Sequence, residues 1–148
     1  MFRQAMKDLE TAKILLNQKK LTLIIVKNGQ TLFETKSHRI SGFLNAIEQL
    51  GKQLENASLA DKVAGKAVAL LCVCAGISAV YAETMSKKAK DVLRQNGIYH
   101  EWLELVENIL DEKRQETCPY EKEAASISNP QEAYGRFKIL QKKLKACK

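Results

Sequence analysis

A chain of 148 residues with net charge +7, 45 % hydrophobic and 28 % charged residues fits a single domain over 1–148, large enough for a core without disulfides or structural metals. The absence of any apolar run of about 18 residues excludes a membrane-spanning helix. The start, MFRQAMKDLE, lacks the apolar centre of an export signal, so the expectation is a cytoplasmic protein.

Phe2, Ala5, Met6, Leu9, Ala12 and Leu16 recur at intervals of three and four, which predicts an amphipathic helix over residues 2–18. Residues 21–27 and 31–35 are β-branched and apolar runs separated by Asn28-Gly29. That dipeptide suits a tight hairpin, because both turn positions need positive φ. A polar connection follows, with Arg39 beside the start of a second amphipathic helix. Phe43, Ala46, Ile47 and Leu50 mark its buried face, and Ser41 is its expected cap.

Residues 59–84 form the most apolar stretch. Lys66 is the only charge between Val63 and Ala75, and a helix apolar all round belongs in a core. Ser58, three residues before Asp61, has the spacing of a capping box, so the core helix is expected to begin near Leu59. Gly76 is its expected terminator and residues 78–82 the buried strand behind it. Cys72 and Cys74 are two apart, hence on different sides of that helix, and read as small core residues.

Residues 86–95 read as a helix ended by Gly97, and 98–103 as a strand polar on one side. Residues 104–115 are charged and expected to be helical. Thr117-Cys118-Pro119 starts a short helix, and Asn129-Pro130-Gln131-Glu132 starts the last one, since Pro suits the first helical position. Residues 131–148 hold six positive side chains against Glu132 alone, leaving +5 of the total charge in one terminal helix. It buries Phe137, Leu140, Leu144 and Cys147 and presents its lysines outward. Without aromatic stacking partners these lysines read as a solvated face rather than a nucleic-acid grip. A hairpin followed by βαβ units makes an α/β fold of three layers, with a mixed sheet of four or five strands between helices.

The block Ala60-Asp61-Lys62-Val63-Ala64-Gly65-Lys66-Ala67, the strand end Val80-Tyr81-Ala82-Glu83 and the segment Cys118-Pro119-Tyr120-Glu121-Lys122 resemble the prokaryotic domain of unknown function 1893 family. The resemblance runs roughly over residues 21–129 and implies a cytidine-deaminase-like fold. Deaminases of that fold hold zinc with His-x-Glu or Cys-x-Glu at the start of the core helix and Pro-Cys-x-x-Cys after the next strand. Here the matching stretches read Asp61-Lys62-Val63 and Glu83-Thr84-Met85-Ser86, and His38 and His100 lack ligand spacing. Neither zinc nor any other cofactor is therefore expected.

Lysines at a helix N-terminus oppose the macrodipole, which favours anions by roughly 0.3 to 1 kcal/mol each. Lys62 and Lys66 both do so, with Gly65 between them allowing close approach. They mark a rim, formed with Asp61, Glu83, Thr84 and Arg39, where a phosphate-bearing, nucleotide-like molecule is expected; the competing reading is ion pairs of the lysines with Asp61 and Glu83. The glycine and hydroxyl spacing of a phosphate loop is absent. Two further readings stand beside it. One is a zinc-independent enzyme with Cys118, at a helix start, or Lys66 as nucleophile and Glu83 as base. The other is an interaction protein whose basic C-terminal helix meets an acidic partner or nucleic acid. Homo-oligomerisation is left open.

Overall fold

The computed structural model describes residues 2–37, 39–109 and 118–146. Helix α1, Phe2–Gln18, precedes a hairpin of β1, Leu23–Lys27, and β2, Gln30–Thr35. The turn residues Asn28 and Gly29 have φ of +52° and +78°, as their sequence demands. The buried carboxylate of Asp8 on α1 accepts both turn amides at 2.9 Å.

Helix α2 spans Arg39–Leu50. It begins two residues before the expected cap, so Ser41 lies inside it and is hydrogen-bonded to Tyr120 instead of capping. Next come β3, Ser58–Ala64, α3, Lys66–Ala75, and β4, Ala79–Ser86. The expected single helix from Leu59 is thus split into strand and helix. Strand β3 is central, antiparallel to β1 and parallel to β4, and its first four residues are buried, with Leu59 and Ala60 in the cores on opposite faces. A strand covered on both faces carries the same unbroken apolar run as a buried helix. Ser58 does not cap; its buried hydroxyl donates to the Ala5 carbonyl at 2.6 Å and ties β3 to α1. Gly76 ends α3 with φ of +76°, and the amides of Gly76 and Ile77 return to the carbonyls of Val73 and Cys72.

Helix α4, Lys87–Gln95, is capped by Ser86, whose hydroxyl accepts from the Ala89 amide. Strand β5, Tyr99–Val106, runs parallel to β4, so residues 104–106, expected to be helical, extend a strand. The register Thr84–Glu104 and Met85–Leu105 keeps them in the sheet, and this pairing outweighs their helix propensity. The rest of that expected helix lies mostly outside the described residues. Short helix α5, Pro119–Ala124, begins on the expected proline, whereas Asn129 and Pro130 open a 3-10 turn, Pro130–Glu132, that leads into α6, Ala133–Ala146.

The sheet order is β2-β1-β3-β4-β5. Helix α1 covers one face over Leu9, Leu16, Ile24 and Tyr81. The remaining helices cover the other, around Phe43, Leu59, Leu70, Val80 and Phe137. This is the expected three-layer α-β-α arrangement with a mixed five-stranded sheet opening on a hairpin. No helix among the described residues is long and apolar enough to cross a membrane.

Candidate anion groove at the start of the core helix

Parallel strands β3 and β4 deliver the starts of α3 and α4 to the same edge of the sheet, as successive βα units must. The first turn of α3 opens on Gly65, whose backbone is extended and which supplies no side-chain cap. The orphan amides of that turn are instead satisfied by Glu121: Lys66 N–H donates to Oε1 at 2.8 Å and Ala67 N–H to Oε2 at 2.7 Å. A carboxylate spanning two amides in this way compensates the helix dipole. Glu121 is aimed by α5, which is anchored in the core by Tyr120 packed edge-on against Phe137 and braced on α6 by the Glu123–Arg136 pair. Any Cβ at position 65 would run into the Glu121 carboxylate.

The expected rim divides accordingly. Gly65 and Lys66 stand together at the start of α3. Asp61 lies in β3, not in a helix, fully buried, on the sheet face shared with Leu59 and with Oδ1 accepting from Val63 N–H at 3.1 Å. Its charge adds to burial in pushing the Cys72 thiol well above its ordinary value. Lys62 is exposed in β3, on the opposite face from Asp61 by strand alternation. Glu83 likewise sits within β4 on the face of Tyr81, toward α1, where its charge and, more strongly, burial raise the Tyr81 hydroxyl pKa. Lys62 and Lys66 therefore do not share a helix face, and Glu83 and Lys66 occupy opposite sides of the sheet. Thr84 belongs to β4 too, on the face of Ala82. The site assignment of Arg39, and His38 and Cys147, lie outside the described side chains. Cys118 is buried, and its carbonyl accepts from the amide of Glu121 at 2.9 Å.

Alongside the start of α3 runs a groove of about 580 Å³ between α3, α4 and the segment 127–130. Lys66 and Lys88 line it, one from the first turn of each helix, above a floor of Leu70, Val92 and Ile127. Neither lysine has an ion-pair partner among the described residues. Lys88 had no signal of its own in a lysine-rich helix start. In the sequence Glu121 stood out only as part of the segment carrying the family resemblance; it lies in the first turn of α5.

Zinc does not fit these helix starts. The helix starts after β3 and β4 carry Gly65-Lys66-Ala67 and Ser86-Lys87-Lys88-Ala89, whereas the stretches expected from the sequence, 61–63 and 83–86, lie within the strands and reach a helix start only at Ser86. The groups there are amides, ammonium groups, one committed hydroxyl and the single carboxylate of Glu121, both of whose oxygens accept from amides, which is not a zinc ligand set. Among the described residues no group of three His, Cys, Asp or Glu side chains is placed to hold a metal.

The structure is similar to that of a DUF1893 family protein from Thermotoga maritima, with a TM-score of 0.81 at 24 % identity over 92 % of this chain and 90 % of that one. A dCMP deaminase from the cyanophage S-TIM5 aligns with a TM-score of 0.49 at 18 % identity, over 66 % of this chain and 95 % of its own. A diaminohydroxyphosphoribosylaminopyrimidine deaminase/5-amino-6-(5-phosphoribosylamino)uracil reductase of T. maritima aligns with a TM-score of 0.46 at 17 % identity, over 81 % and 40 %. Among curated proteins there is no match. Residues 11–144 match the family model described as a domain of unknown function, DUF1893, and the chain belongs to that family.

Proposed function

We propose that the protein binds a phosphate-bearing, nucleotide-like small molecule in the groove beside the start of α3 and does so without zinc-activated hydrolysis. The observation that carries this reading is the pair Lys66 and Lys88, two ammonium groups without ion-pair partners among the described residues, lining one groove. Uncommitted cations over an apolar floor suit an anionic head on an apolar body, and the groove volume lies within the usual range for small-ligand sites. The site is moved from the one the sequence suggested: Lys66 remains and Lys62 is replaced by Lys88. The amides of α3 are held by Glu121, so the ligand meets side chains rather than the bare helix end. A nucleotide is the class that the deaminase-like fold suggests.

The test is calorimetry and thermal shift with a panel of nucleotides and sugar phosphates on the wild-type protein and on Lys66→Gln and Lys88→Gln. Each substitution removes a charge-assisted hydrogen bond of about 1.5 to 3 kcal/mol, so affinity should fall roughly tenfold to a hundredfold. Unfolding without ligand should be unchanged, since neither side chain is buried. Failure of every phosphate compound to bind, or unaltered affinity in both variants, overturns the proposal.

A further inference from the structure

Charge is distributed unevenly along the groove. Its positive end is Lys66 and Lys88; one turn further along α4 comes Asp91, and at the far end Gln95 and Asn96 contribute carboxamides. From Lys88 to Asn96 the helix rises about 12 Å, the length of a nucleoside monophosphate laid out straight. Asp91 pairs with Arg94 at 3.5 Å, but both side chains are largely exposed, and such a pair is weak. The carboxylate thus keeps its negative field toward the groove. Asn96 Nδ2 donates to the Val92 carbonyl at 2.8 Å, which leaves Oδ1 as an acceptor at the far end.

Resting on the reading above, we infer that the groove selects a nucleoside monophosphate, its phosphate between Lys66 and Lys88 and its base toward Gln95 and Asn96, with Asp91 as the residue that rejects polyphosphates. A phosphate monoester carries about −1.5 to −2 at neutral pH, which two ammonium groups balance. Further phosphates have no third cation in the groove lining and meet the Asp91 carboxylate. The base lies over Leu70, Val92 and Ile127, apolar surface that suits the face of a ring.

Titration calorimetry of the full chain without divalent metal, using AMP, CMP, ATP, CTP and inorganic phosphate, tests this. Each monophosphate should bind at least about tenfold more tightly than the matching triphosphate and than inorganic phosphate. Asp91→Asn should raise triphosphate affinity on the order of fivefold and monophosphate affinity by clearly less, since the added phosphates are the ones that meet the carboxylate. Its unfolding midpoint, measured alongside, should match the wild type. Triphosphates binding as tightly as monophosphates, or Asp91→Asn shifting both alike, overturns the inference while leaving the groove a phosphate site. No binding by any of the five overturns this inference, and if the sugar phosphates of the wider panel fail as well the proposed function falls with it.

Discussion

Glu121 is separated by 55 positions from Lys66 and by 54 from Ala67, yet it closes the first turn of α3 with both carboxylate oxygens. Gly65 makes room for it, since a methyl group at that position would occupy the carboxylate's place. Glu121→Ala should therefore destabilise the protein by about 2 to 3 kcal/mol, the worth of charged hydrogen bonds to amides. Gly65→Ala should cost about 1 to 3 kcal/mol through overpacking. The backbone at Gly65 is extended, so the cost is steric contact with Glu121 and disappears with it. Chemical denaturation of the double variant should accordingly show a loss smaller than the sum by roughly 1 kcal/mol or more. Additive losses would mean that the two residues act separately.

Helix α1 is attached to the sheet by apolar packing and by a polar seam at its outer side. Lys13 donates to Glu101 of β5 at 2.8 Å, Tyr99 donates to the same carboxylate at 2.6 Å, and the Lys13 ammonium lies 5.0 Å from the centre of the Tyr81 ring. Burial pushes the Glu101 carboxyl upward, but the hydrogen bonds from Lys13 and Tyr99 with the Lys13 charge outweigh it and hold it below its ordinary value. Its stabilisation is thus present above the unfolded-state pKa and lost as pH falls through the lowered folded value. Lys13 is raised, chiefly by the same hydrogen bond, so its contribution is complete below its unfolded pKa and lost as pH rises through the raised one. Glu101→Gln should cost about 1 kcal/mol near neutral pH, the scale of a partly exposed pair. Denaturation curves of variant and wild type should converge below the carboxylate range; a constant gap at all pH values would assign the loss to packing.

At the scale of the whole molecule, what the two parallel βα units bring to one end of the sheet is the pair of helix starts of α3 and α4. A glycine, lysines and a serine occupy them, and an internal carboxylate fills one. Protein purified without metal-affinity resin should carry far less than one equivalent of zinc by elemental analysis, and chelator should leave its unfolding temperature unchanged. One bound zinc per chain would contradict this. Lys142, Lys143 and Lys145 are exposed on α6, which contributes Phe137 to the core.

Where local chemistry leaves one conformation favoured, the sequence by itself determined the outcome. Asn28-Gly29 dictated the hairpin, Gly76 the end of α3, and Pro119 and Pro130 two helical starts, because each depends only on φ preferences and missing donors within a few residues. The spacing of Phe2 to Leu16 likewise fixed α1. Residues 58–64 were different: their apolar run is compatible with strand or helix, and pairing with β1 and β4 on both edges decided for strand. That choice shifted the helix start to Lys66 and sent Lys62 and Glu83 to the other side of the sheet. Gly65 and Lys66 were singled out from the sequence on the expectation of a helix beginning near Leu59, and the structure places them at the start of α3 instead of in the second turn of a longer helix. The placement of Glu121 on that start, and of Lys88 and Asp91 along the same groove, was not legible, since it arises from a helix-to-helix approach across the fold, and periodicity within one segment carries no record of which distant segment packs against it.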